Sequence, residues 1–344
     1  MRVSPELHYH FGRRLLHWWA IATACVTFVL LWSGGLVTSK GVGMAVPDWP
    51  TTFGYNMFLF PFSKWVGGIF YEHSHRLLGS LVGLMVIVLV VAAFILENRK
   101  AVKVYAVALL VAVIVQGVLG GLRVVLVKDE VGILHAGLAQ SFFSAMVVFC
   151  VVTSRAFVTG RWADFEPDGV LRTLVFGGTA LIFLQLILGA TMRHEHIGLA
   201  VPDFPLAYGR VVPDTSPAAM QEINSARRAD GNVPIKASYI WVHMAHRFLA
   251  VGILGVLLAV LLRAKTSFGR TRFMAAVWSG LVLVQAGLGA WTVWSNKAAD
   301  VATLHMAVGA VLLAWGVVFS VRLALGGRAL DFSVPDVKPR EAVA

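Results

Sequence analysis

Four histidines sit in apolar surroundings at matched positions. His75, followed by Arg76, recurs as His246 followed by Arg247, and His135 recurs as His305, at offsets of 171 and 170 residues. Imidazole is the commonest metal-ligating side chain, and ionisable groups within an apolar layer are costly and usually functional. Two histidines in each half of the chain therefore point to two matched metal sites. A purely structural role suits a lone membrane histidine better than four at repeated positions. Glu72 precedes His75 by three residues, on the same helical face, whereas the residue at that place before His246 is His243. A carboxyl in an apolar setting can serve as general acid or base, so the first half offers proton chemistry beside its histidines and the second does not. The alternative for Glu72 is a helix-end carboxylate meeting headgroups or water.

The elements that must position these residues are membrane helices. An apolar content of 58%, a mean hydropathy of +0.76 and only 14% charged residues exclude a soluble enzyme. Apolar stretches of about 20 residues, the length that crosses a bilayer, fall near 15–37, 70–96, 102–122, 131–153, 170–192, 239–262, 273–294 and 301–323. The segment Ala45 to Pro50 (Ala-Val-Pro-Asp-Trp-Pro) recurs as Ala200 to Pro205 (Ala-Val-Pro-Asp-Phe-Pro), between the first two spans of each half. The fold expected is an all-α integral membrane protein whose eight transmembrane helices form two parallel-repeat four-helix bundles, residues 1–160 and 161–344. An even number of spans per unit gives both copies the same orientation, unlike an inverted repeat. The first span is longer than a signal-peptide core and matches 170–192, so it is expected to stay as a structural helix.

The net charge of +11 follows membrane sidedness, not nucleic-acid binding. With the amino terminus in the cytoplasm, 17 of the 29 Lys and Arg fall on that side and 10 on the other. Half of those 10 lie in one long loop, where the rule carries less weight. A multi-pass cell membrane protein with both termini cytoplasmic is expected. Cys25 and Cys150 both fall in helices, which leaves no disulfide framework or thiolate cage.

In this topology all four histidines lie near the outer ends of even-numbered helices, at one depth. Facing helices of a bundle can hold a cofactor between them, pairing His75 with His135 and His246 with His305. Two histidines across a bundle suit the two axial positions of haem iron; zinc or a dinuclear centre would draw in more acidic or sulfur ligands. Arg76 and Arg247 could pair with haem propionates or anchor their helices at the interface. His8, His10 and His17 at the cytoplasmic end, and His194 and His196 in the outside loop, have weaker claims as ligands, and His73 should point away from Glu72. The Pro-Asp segments read as rigid caps over the outer mouths. A motif Gln-x-x-Leu-Gly-(Gly/Ala) recurs from Gln116, Gln185 and Gln285; helix packing with an amide bond across the interface explains it better than ligand contact. Residues 210–238, part of which the first half lacks, read as an irregular outside loop, either a lid or a tolerated insertion. The tail after Arg328 reads as disordered.

Taken together, Gly34-Gly35-Leu36-Val37-Thr38, Gly43 to Pro50, Glu72-x-x-His75-Arg76-Leu77-x-Gly79, His135, His246-Arg247 and His305 resemble the haem A synthase family. The resemblance runs from about residue 15 to 323. It implies an oxidoreductase that converts a methyl group of haem O to a formyl group for terminal cytochrome oxidases. It also implies a haem b cofactor on His246 and His305, a substrate haem O on His75 and His135, and Glu72 as the catalytic carboxylate. Many members carry a cysteine pair in an outside loop; this chain has none there, so it resembles the cysteine-free members. No flavin, nicotinamide or iron-sulfur motif is present, so an external electron donor is implied. A haem O synthase and cytochrome oxidase are the partners the resemblance suggests, nucleic acid is not one, and a homo-oligomer is left open. The competing readings are a two-haem b-type membrane cytochrome passing electrons between quinone and a partner, and a haem carrier.

Overall fold

A computed structural model describes residues 5–159, 161–162, 168–267 and 269–326. Its helices are α1 (Pro5–Ser39), α2 (Gly67–Leu96), α3 (Lys100–Leu126), α4 (Asp129–Thr153), α5 (Arg155–Val158), α6 (Gly169–His194), α7 (Pro217–Ala229), α8 (Ala237–Arg263), α9 (Arg270–Trp294) and α10 (Ala299–Leu325). All except α5 and α7 are long and apolar enough to cross a membrane, which gives eight spans among the described residues. In lipid a helix satisfies its own main-chain groups, so Val- and Leu-rich runs that could pair as strands in water are helical here. Local chemistry sets the ends. The Asp168 carboxylate accepts the Leu171 N–H at 2.9 Å to start α6, and Asp129 and Glu130 occupy the positive end of α4.

Helix α1 packs on α2 and α4, and α3 on α2 and α4; likewise α6 packs on α8 and α10, and α9 on α8 and α10. The two sets meet through α4 and α10, with α1 also on α10 and α4 also on α6. Burial agrees: 50% of the apolar window of α4 and 61% of that of α10 is inside, against at most 39% for the other spans. The two central helices carry His135 and His305; the flanking helices α2 and α8 carry His75 and His246.

Apolar packing fills the halves away from the histidines, around Leu16, Val82, Leu89 and Phe149 in one set and Leu171, Leu257, Trp278 and Phe319 in the other. Lipid is as apolar as these side chains, so close fit and interhelical hydrogen bonds must supply specificity. Trp19 Nε1 donates to Met85 O at 2.9 Å, Tyr105 Oη to Ala145 O at 2.7 Å, and Trp278 Nε1 to Leu312 O at 2.9 Å. At the end opposite the histidines Glu97 accepts from Arg13 and Arg99, each at 2.8 Å.

The expected spans match eight helices, several of which extend a turn or more further; α1 begins at Pro5. One expectation is corrected. The stretch 210–238 is not irregular throughout, because α7 occupies Pro217–Ala229. Ser216 caps it, Pro217 fits its first turn, and Met220 and Ile223 pack on Val201, Ile240 and Met244. The tail after Arg328 lies outside the described residues. Cys25 and Cys150 are both free.

Candidate functional site

Each of the four histidines is seated against a bare glycine on the neighbouring helix. A Cβ placed on Gly34 of α1 would lie 2.8 Å from His75 Cε1, and one on Gly120 of α3 would lie 3.2 Å from His135 Cε1. The same holds for Gly189 of α6 against His246 at 3.4 Å and Gly289 of α9 against His305 at 3.2 Å. Three of these glycines end the Gln-x-x-Leu-Gly motif, and the glutamines bond across to the histidines' own helices. Gln116 Nε2 donates to His135 O, Gln185 Nε2 to His246 O and Gln285 Nε2 to His305 O, all at 2.9 Å. Glycine lets the ring come close, and the amide four residues earlier fixes the depth at which the two helices meet. At the fourth position the residue four before Gly34 is Leu30, which has no amide to give. His75 alone lacks this lock.

The rings are placed in pairs. His75 and His135 are near enough to feel each other's charge, as are His246 and His305. Nδ1 of all four is buried in protein, and each ring faces the main chain of the residue four before its seating glycine, Leu30, Gln116, Gln185 and Gln285 in turn. Among the described residues no three or more His, Cys, Asp or Glu gather to hold a metal ion. A metal taken by two imidazoles here must bring its other donors with it, as porphyrin iron does. The donor set fits a haem and does not fit a zinc cage.

Above each pair the Pro-Asp segment is caged by its own aspartate. Asp48 accepts from Phe53 N at 2.7 Å and Gly54 N at 2.9 Å, and Asp203 accepts from Tyr208 N and Gly209 N at the same distances. Gly54 and Gly209 have φ of +76° and +75°, a backbone form that glycine adopts without steric cost. Burial by itself would raise both carboxyls. The amide bonds outweigh it and hold Asp48 and Asp203 below the usual carboxylate value, helped at Asp48 by the Thr51 hydroxyl and at Asp203 by Arg247.

Arg76 and Arg247, expected as partners for propionates, are placed as clamps on these segments. Arg76 Nη1 donates to Asp48 O at 2.6 Å and Thr51 O at 3.1 Å, and its Nη2 to Val46 O at 2.8 Å and Glu72 Oε1 at 2.7 Å. Arg247 does the same through Leu206 O at 2.9 Å, Val201 O at 3.3 Å and Asp203 O at 2.7 Å. Glu72, 3% exposed, also accepts the Val46 N–H on Oε2 at 2.9 Å. His243 takes the matching contact in the other set, accepting the Val201 N–H on Nδ1 at 3.2 Å. His73 turns away from Glu72 as expected, against Thr52 Oγ1 at 3.2 Å and the rings of Phe60 and Trp65.

Two arginines were read in the sequence only as topological charge. Arg123, in the last turn of α3, has no hydrogen bond or ion pair within contact distance and lies near both His75 and His135. Arg193, near the end of α6, donates to Gly35 O and to Ser39 Oγ, meets no carboxylate, and lies near His305. The two also feel each other. His194 is the last residue of α6, not a loop residue, and is buried against Gly132. Among the described residues neither arginine makes a contact ion pair, although Glu72 and Asp129 lie near enough to Arg123 to act on its charge; the sequence signal was hidden because Asp129 and Glu195 follow closely in the chain.

A profile of the family described as cytochrome oxidase assembly protein matches residues 56–317. The chain is 28% identical over 305 residues to a protein named Heme A synthase from Geobacillus kaustophilus, covering 85% of this chain and 86% of that one. It is 26% identical over 303 residues to one of the same name from Bacillus mycoides, and 25% identical over 304 residues to one from Bacillus cereus. Both cover 85% of this chain and 88% of theirs. The profile spans all four histidines, the aspartate-caged loop of the second set and three of the four seating glycines, and the chain belongs to the cytochrome oxidase assembly protein family.

Proposed function

We propose that this multi-pass membrane protein is a haem A synthase, an enzyme that acts on haem O in the biosynthesis of haem A for cytochrome oxidase. The observation that carries the reading is the paired seating of His75 with His135 and His246 with His305 on glycines, in a chain of this family. In this reading residues 1–160 and 161–344 are two parallel four-helix bundles. The first takes haem O between His75 and His135; the second holds resident haem b between His246 and His305. Both sites face the outer side, the termini lie in the cytoplasm, and the enzyme is an oxidoreductase converting a methyl group to a formyl group with electrons from an external donor. When bound, haem b supplies one-electron redox chemistry.

The chain's own residues do the rest. Arg123 and Arg193 are the cations available to haem carboxylates, one beside each pair, while Arg76 and Arg247 clamp the loops that close the mouths and keep water out. Glu72 is the carboxyl available for proton transfer beside His75. Its Oε1 is held by Arg76 and its Oε2 by the Val46 amide, which fix the carboxyl in place.

The test is pigment extraction and mass analysis of the purified protein made alongside a haem O synthase. Haem b together with haem O or haem A supports the reading; haem b alone at two per chain supports a two-haem cytochrome instead. Replacing Glu72 separates its two possible parts. Glu72→Gln keeps an acceptor for Val46, and Glu72→His copies His243. Both should retain haem b and stop haem A formation, and normal haem A in either would reduce Glu72 to a loop cap. His246→Met or His305→Met should deplete haem b.

A further inference from the structure

The lipid-facing side of the first helix set carries an apolar slot. Between α2 and α3 lies a cavity of about 300 Å³, lined among others by Trp49, Gly79, Gly83, Ile87, Gly117 and Val118. A Cβ at Gly79, Gly83 or Gly117 would meet nothing within 4 Å, so the missing side chains set its width. The slot runs along the helix that carries His75. Gly79, Gly83 and Ile87 follow His75 at steps of four along one ridge of α2, a run of roughly 18 Å at 1.5 Å per residue. Gly117 adjoins Gln116, whose amide holds the His135 carbonyl. Ile114 and Val118 on its rim are 56% and 44% exposed, which opens it to the membrane.

The second set has these positions filled. Carried across by the offsets of His75 to His246 and Gln116 to Gln285, the three glycines correspond to Ala250, Leu254 and Ala286. Leu254 packs against the core around Leu257 and Trp278. The two sets thus share the histidine seats and differ at these three positions, glycine in the first and a side chain in the second.

We propose that this slot seats the long isoprenoid tail of the substrate haem while its macrocycle lies between His75 and His135. The proposal rests on the reading above that the first set is the substrate site. Haem b has no such tail, and the set assigned to it has no need of a slot. Moving an isoprenoid chain from lipid into a protein groove gains little transfer energy, because both are apolar. What the slot supplies is orientation. It fixes the rotation of the macrocycle about the His75–His135 axis and thereby which ring edge faces Glu72.

The experiment transplants the second set's residues into the first. Gly79→Ala/Gly83→Leu/Gly117→Ala protein is purified from cells making haem O, its bound pigments are extracted, and it is then titrated with haem O and with tail-free haem B. Expected are an unchanged haem b content, a fall of at least tenfold in haem O plus haem A per haem b, and a first site that now prefers haem B. If the triple variant loses haem b as well, Gly83→Leu alone is read by the same ratio. A wild-type ratio and preference would overturn the proposal, as would retention of haem O with loss of a co-purifying lipid, which would make the slot an acyl-chain site. His75→Met protein tells the two levels apart: if it keeps its haem O, the assignment of the first set fails; if it loses haem O while the triple variant keeps it, only the slot fails.

Discussion

The glycine seats make a graded prediction. Ordinary contact to a Cβ begins near 3.4 Å, so the 2.8 Å at Gly34 asks the His75 ring to move by 0.6 Å. The 3.2 Å at Gly120 and Gly289 asks for 0.2 Å, and the 3.4 Å at Gly189 asks for nothing. Overpacking costs about 1–3 kcal/mol, and replacing a helical glycine by alanine returns about 1 kcal/mol. If the ring is held at its far end by the proposed haem, Gly34→Ala stands at the upper end of that range. Its net loss of about 2 kcal/mol is roughly 30-fold in haem O retention. Gly120→Ala and Gly289→Ala nearly cancel, within about threefold, and Gly189→Ala gains up to about 1 kcal/mol of stability. The assay is pigment per chain after purification, reading haem O for the first two positions and haem b for the others, with the thermal midpoint measured alongside. Wild-type haem O in Gly34→Ala would refute the seating argument, and so would a loss of haem b in Gly189→Ala larger than in Gly289→Ala.

The amide locks predict modest effects, since interhelical hydrogen bonds in membranes average about 0.6 kcal/mol and reach about 1.7. Gln285→Leu should speed loss of haem b to apomyoglobin by no more than about 20-fold, and Leu30→Gln should slow loss of haem O by a factor of the same order. Asp48 and Asp203 have folded-state carboxyls below the unfolded value of about 3.9. Their stabilisation is complete above that value and is lost as pH falls through the lower folded one. The thermal midpoint of Asp203→Asn should therefore sit below wild type by a constant amount from pH 5 to about 8 and converge with it in stronger acid; a gap that widens on acidification would disprove the cage. Arg123→Leu should weaken haem O retention and spare haem b, and Arg193→Leu should do the reverse, measured by the same extraction; equal losses in both would remove the carboxylate assignment.

The spans were legible because lipid imposes one rule on every residue of a crossing helix, and the histidines because they recur at fixed offsets. The seats were only partly legible. The motif beginning at Gln116, Gln185 and Gln285 was readable as packing, but its glycine's partner lies on another helix, and the fourth copy was hidden by Leu30. Helix α7 was missed because a polar stretch reads as loop until Ser216, Pro217, Met220 and Ile223 are taken together as cap, first turn and buried face. The clamping by Arg76 and Arg247 could not be read at all, because their acceptors are main-chain carbonyls, which carry no sequence signature.

The contact that Glu72 and His243 share is permissive. A peptide N–H asks only for an acceptor at the right distance, and it does not distinguish a carboxylate oxygen from an imidazole nitrogen. This position is therefore open to exchange without dismantling the loop that it holds. One half can carry an acid where its counterpart carries an imidazole, so a single side chain changes the chemistry on offer while the contact that holds the loop is kept.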